Sequence, residues 1–173
     1  MKKTILIPVE TSSRELIYKV YLCNLLAING FECFLGNKHE IYNLIKIKTS
    51  FIYLDKGYHQ GVSEKIYKEI SRKNGFIVNL DEEGAVAFPD GSPLHLRYSK
   101  TALSAFNLIF FWGVSQMKMV ENLIPNKNFA IVTGHPRFQL LKKEFKYLYK
   151  DDVNEIKEKF GKYILINTNF ARA

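Results

Sequence analysis

Residues 50–84 read SFIYLDKGYHQGVSEKIYKEISRKNGFIVNLDEEG, and this stretch decides the fold. Residues 50–55 form an apolar run with the length and composition of a buried strand. Ser63–Asn74 reads as a helix that Ser63 can cap and Gly75 ends. Residues 76–80, FIVNL, are a second apolar run. Strand, helix, strand with near-continuous apolar strands is the unit of a parallel sheet covered on both faces.

The same alternation extends in both directions. Upstream, TILIPV (4–9) is a strand, Arg14–Asn29 a helix that Gly30 stops, FECFLG (31–36) a short strand and Lys38–Ile47 a helix. Downstream, residues 85–98 are irregular, with Pro89, Asp90, Gly91 and Pro93 as turn signals. Then come a short helix (99–106), a strand LIFFWG (108–113), a helix (114–123), a strand FAIVTG (129–134), the turn GHPRF and a basic helical region to Lys150. A helix at Asp151–Phe160 and a strand KYILINTN (162–169) close the chain. Right-handed crossovers make this pattern a doubly wound, mostly parallel, Rossmann-like α/β sheet. The expected division is a domain over 1–150, then a linker helix and the first strand of a second domain over 151–173.

In such sheets ligands bind at the carboxyl ends of the strands. The polar residues that interrupt the pattern stand at those ends: Glu10–Arg14, Asp55–Lys56, Asp81–Gly84 and Gly134–Arg137. Asp81, Glu82 and Glu83 are three adjacent acids before Gly84. Like charges so close raise the pKa of at least one, which suits acid–base chemistry. The bland alternative is a solvated acidic turn, and successive residues point in different directions, so at most two can face one site.

In GHPRF, Gly134 lets the chain turn, Pro136 fixes φ, and Arg137 offers a planar fork for phosphate or carboxylate. His135 lies inside this turn and joins the candidate binding set with it; the alternative is a structural turn whose Arg pairs with a local acid. PVETSSRE (8–15) sets hydroxyls and N–H groups at a helix start, where anions are favoured. There Ser12 and Ser13 read as caps, with Ser12 also a candidate for binding substrate, and Glu10 and Arg14 read as site residues or a local ion pair. Asp55–Lys56 is either a site pair or a neutralised turn. Trp112 reads as core or cleft wall.

The 173 residues suffice for one domain with a sizeable core, and 47% hydrophobic with 24% charged is ordinary globular composition. The net charge of +8 favours anionic partners, including an acidic membrane face, but the lysines are scattered along helix-like segments. No aromatic-interleaved basic surface marks a nucleic-acid binder. Cys23 and Cys33 lie in separate apolar segments, with no Cys/His cluster for a metal. No run approaches the roughly 20 apolar residues of a membrane span. There is no GxGxxG and no GxxxxGK[ST], so dinucleotide and P-loop fingerprints are absent. The expected location is the cytoplasm, at the inner face of a membrane if the charge is used there.

Taken in order, ILIPVETSSRE, FIYLDK, NLDEEG, LHLRYSK, FFWGVSQ, VTGHPRFQLL and YILINTNFARA resemble the bacterial surface carbohydrate biosynthesis family. Those proteins are similar to glycosyltransferases of the GT-B kind, and TGHPRF resembles a TGxPRxD corner of capsule polymerases. In that corner an Asp is usual where this chain has Gln139. The resemblance implies the acceptor-side, N-terminal portion of a two-domain enzyme of capsule or lipopolysaccharide biosynthesis. It would move a sugar from a nucleotide-sugar donor to a saccharide or lipid-linked acceptor, with no bound cofactor or metal. Asp81, Glu82, Glu83 and Gly84 match the acidic loop, and Gly134, Pro136 and Arg137 match the corner. The alternatives are a sugar-nucleotide epimerase of the same plan and a non-enzymatic α/β binding module.

Overall fold

A computed structural model describes residues 3–82, 97–124 and 129–166. The chain divides into two compact units, Met1–Phe138 and Gln139–Ala173. The first unit is a six-stranded, all-parallel sheet with helices on its faces.

Its elements are β1 (Thr4–Val9), α1 (Ser12–Ile28), β2 (Glu32–Asn37), α2 (Lys38–Ile47), β3 (Phe51–Asp55), α3 (Ser63–Arg72) and β4 (Phe76–Leu80). They continue as α4 (Lys100–Ala105), β5 (Leu108–Phe111), α5 (Val114–Val120), a 3-10 turn (Glu121–Leu123) and β6 (Ala130–Val132). The strand order is β2-β1-β3-β4-β5-β6. The chain steps outward from β1 to β2, then returns past β1 to β3. That reversal puts a topological switch point between β1 and β3, where doubly wound sheets hold ligands.

Strand alternation sorts the core into two layers. Leu6, Tyr53, Ile77, Ile109 and Phe111 pack with residues of α2, α3, α4 and α5. Ile5, Ile7, Leu54, Val78 and Leu80 pack with Leu22, Cys23 and Leu26 of α1. Burying one such aliphatic side chain contributes about 1.5–3 kcal/mol, so each layer holds its helices on the sheet.

Local chemistry sets the helix ends. Asn37 Oδ1 accepts the Glu40 N–H at 2.9 Å and starts α2. Gly75 N–H donates to Ile70 O at 2.8 Å and closes α3. A Cβ on Gly75 would lie 2.5 Å from Ile70 Cγ2, so the turn into β4 admits only glycine without a shift. Helix α1 begins two residues earlier than its apolar pattern indicates. Ser12 and Ser13 are exposed in its first turn and do not cap it. The Glu15 carboxylate does so instead, accepting the N–H groups of Glu10 at 3.0 Å and Thr11 at 3.3 Å.

The second unit holds a 3-10 segment (Lys143–Tyr149) and α7 (Lys150–Phe160), with the short α6 (Pro136–Gln139) leading into it. Gly161, at φ 61°, ends α7 and donates its N–H to Lys157 O at 2.9 Å. The strand expected over 162–169 does not form across 163–166. A strand needs a neighbour for its ladder. Ile164 is 90% exposed, and no strand pairs with this segment among the described residues. Residues 167–169 lie outside the described residues.

Candidate active site at the carboxyl edge

All six strands run the same way, so their carboxyl ends share one edge. Alternation then decides which side chains meet. Beyond β4, Asp81 continues on the side of α3 and α4, and Glu82 on the side of α1. Asp81 and Glu82 therefore do not share a site. Glu83 and Gly84 lie outside the described residues.

On the α1 side a chain of alternating charges crosses the edge. Lys56, after β3, pairs with Glu10, after β1, and its Nζ lies 3.2 Å from Glu15 Oε1. Glu15, fully buried, takes Lys19 Nζ on Oε2 at 2.8 Å, and Lys19 also donates to Pro8 O at 2.7 Å. Lys19 Nζ lies 3.5 Å from Glu82 Oε1, which also accepts a hydrogen bond from the Tyr18 hydroxyl. Glu82 Oε2 faces His135 Nε2 at 3.7 Å and Arg137 NH1 at 3.9 Å. Arg137 NH2 donates to the Glu82 carbonyl at 3.2 Å. Lys56, Glu15, Lys19, Glu82 and Arg137 thus link β3, α1, β4 and the turn after β6 through the switch point.

The electrostatics follow from these contacts. The hydrogen bond from Lys56, aided by Lys38, holds the Glu10 carboxyl down at about 2. Burial pushes Glu15 up, but Lys19, the Glu10 N–H and Lys56 outweigh it and hold it at about 2. Burial lowers Lys19, and Glu15 opposes that. Burial, then Arg137 and Lys19, pull His135 down to about 3. Its ring is therefore neutral. Nδ1 accepts the Arg137 N–H at 3.2 Å, so Nε2 carries the proton and turns it towards Glu82.

On the other side, Asp81 takes the Arg97 guanidinium in a two-point pairing, with Nε donating to Oδ2 at 2.8 Å. Asp55 accepts from the Tyr67 hydroxyl and weakly from Gly57 N–H at 3.4 Å. Burial pushes Asp55 up to about 6, with the Tyr67 hydroxyl opposing and the Asp81 charge adding to the rise. Gly57, at φ 141°, passes so close that a Cβ would lie 2.6 Å from Arg97 NH2. This cluster is packed and paired, a structural latch between β3, β4 and the segment leading into α4.

The turn after β6 works as its residues suggest. Gly134 adopts φ 77°, and its N–H donates to Phe111 O at 3.2 Å. Pro136 opens α6, and His135 and Arg137 are carried to Glu82. Trp112, after β5, donates its indole N–H to the Asp81 carbonyl and packs against His135 with ring centroids 4.6 Å apart and planes tilted by 44°.

Of the candidates read from sequence, Glu10, Lys56, Glu82, His135 and Arg137 come together. Arg14 pairs with Glu15 at 3.3 Å, while Glu10, its expected partner, pairs with Lys56 and Lys38. Ser12 stays exposed, and Asp55 and Asp81 belong to the separate latch. Tyr18, Lys19, Glu15 and Arg97 were not singled out as site residues. The readable signal is Glu15 and Lys19, two opposite charges one turn apart in a largely apolar helix. No group of three His, Cys, Asp or Glu is placed to hold a metal among the described residues. No helix among them is long and apolar enough to cross a membrane.

Comparisons with family models, with curated proteins and with solved structures find no match for this chain.

Proposed function

We propose that this chain is the acceptor-side half of a GT-B-like glycosyltransferase acting in surface-polysaccharide biosynthesis. One observation carries the reading: Glu82 stands at the carboxyl edge of a doubly wound sheet, between Lys19 and Tyr18 of α1 and His135 and Arg137 after β6. Asp81 is engaged by Arg97 on the other side of the sheet; Glu82 is the described acid of the DEEG loop that faces the side where His135 and Arg137 also converge.

The acceptor hydroxyl attacks the anomeric carbon of the donor sugar. The bond from that carbon to the nucleotide phosphate oxygen breaks, and its electron pair leaves with the nucleotide. Glu82 takes the hydroxyl proton, an acid–base contribution of about 10²–10⁴ in rate. Lys19 and the Tyr18 hydroxyl fix the orientation of its carboxylate. Arg137 faces the anionic part of the bound saccharide. The donor nucleotide is held by a second domain.

Calorimetry of the 173-residue protein with oligosaccharides and with UDP- and CMP-sugars tests this. Saccharide binding without nucleotide-sugar binding supports the acceptor-side reading. Tight nucleotide-sugar binding with epimerisation and no acceptor would replace it with an epimerase.

A further inference from the structure

We propose that Trp112, Phe138 and Arg137 form a subsite for an acidic pyranose, a sugar ring that carries a carboxylate; the inference rests on the acceptor reading above. Trp112 is held at two points, one on its backbone and one on its ring. Its backbone N–H donates to Gln116 Oε1 at 2.8 Å and its indole N–H to the Asp81 carbonyl. Phe138 meets it edge-on, with centroids 5.1 Å apart and planes at 71°. The Arg137 guanidinium carbon lies 5.7 Å from the centroid of each ring.

This group is not core. Phe138 is 47% exposed, and Trp112 and Arg137 are half-buried. A fixed indole beside an exposed phenyl ring offers an apolar wall with a defined orientation. The C–H face of a pyranose matches such a wall, while its hydroxyls stay in water. Cation–π contact with both rings holds the guanidinium beside the wall. Arg137 gives one N–H to the Glu82 carbonyl. Among the described residues, the other donors of its fork have no hydrogen-bond partner.

Charge selects carboxylate over phosphate. The Glu82 carboxylate, 3.9 Å from Arg137 NH1, already offsets part of the positive charge. A monoanionic carboxylate fits what remains, and its two coplanar oxygens match the guanidinium fork. A phosphate brings about 1.5–2 negative charges against the same neighbour.

Trp112 is the only tryptophan in the chain, so its emission reports the subsite directly. Titration with methyl glucuronide should change that emission saturably. Methyl glucoside, the same ring without the charge, should need about tenfold more. Arg137→Met should erase the preference and keep the glucoside response. Phe138→Ala, at an exposed position whose melting temperature checks the fold, should weaken both responses. Equal responses to the two glycosides, no response to either, or a stronger response to inorganic phosphate would each overturn the subsite. The acceptor reading fails separately. Neutral saccharides that bind by calorimetry while Trp112 stays silent to the glucuronide would leave that reading standing and remove the subsite. Glucuronide binding by a protein that transfers no sugar from UDP- or CMP-sugars would do the reverse.

Discussion

Lys19 Nζ lies 3.5 Å from Glu82 Oε1 and 2.8 Å from Glu15 Oε2, so one buried ammonium joins helix α1 to the end of β4. Two carboxylates and one cation with almost no exposure are stable only as a set, because each charge left without its partner bears a full desolvation cost.

Lys19→Met should therefore destabilise the protein by about 3–5 kcal/mol, as measured by the urea midpoint. Adding Glu15→Gln should recover part of that loss, since the second substitution removes a stranded charge. Additive losses in the double variant would mean that Lys19 and Glu15 do not act as a pair.

Gly57→Ala should cost about 1–3 kcal/mol, because φ 141° suits only glycine and the new methyl would meet Arg97 NH2 at 2.6 Å. The melting temperature checks it. An unchanged value would show that the Asp81–Arg97 pair yields without loss.

Acid stability depends on two groups with opposite signs. His135 has a folded value of about 3, below its ordinary 6.5, so the unfolded chain binds more protons between those values and His135 withdraws stability as pH falls. Asp55 has a folded value of about 6, above its ordinary 3.8, so the folded chain binds more protons and gains stability as pH falls through that window. Wild-type stability should be nearly flat from about pH 6 to about pH 4. Below that it should drop, as Glu10 and Glu15 lose stability between 4.5 and about 2. Asp55→Asn should turn the plateau into a fall on acidification, and His135→Gln should turn it into a rise. Urea unfolding at each pH reads both; parallel profiles for the two variants would refute the assignment.

On the glycosyltransferase reading proposed above, Glu82→Gln should lower kcat by about 10²–10⁴. Asp81→Asn should mainly lower stability, because its carboxyl is tied to Arg97. A steady-state assay of nucleotide release separates them. Equal kcat losses from the two substitutions would place the chemistry elsewhere in the loop.

The parallel sheet is legible in the chain's pattern alone. Apolar runs at 4–9, 51–55, 76–80 and 108–111, separated by helix-length segments with Gly30 and Gly75 as stops, admit a parallel, doubly wound arrangement. That much is legible because period and punctuation are local properties. The sequence also brought Glu10, Lys56, Glu82 and Arg137 to one edge, since carboxyl ends of parallel strands must point the same way. It did not separate Asp81 from Glu82. That split comes from strand alternation, which sends one acid to Arg97 and the next to α1. Nor did it show Lys19 as the centre of the network. A lysine in an apolar helix looks like a solvated end until the tertiary fold buries it between Glu15 and Glu82. The strand expected over 162–169 does not form at 163–166 for the same reason: strand pattern is local, but a strand exists only when a neighbour supplies the ladder. Burial and partnership are long-range, and only the tertiary structure decided them.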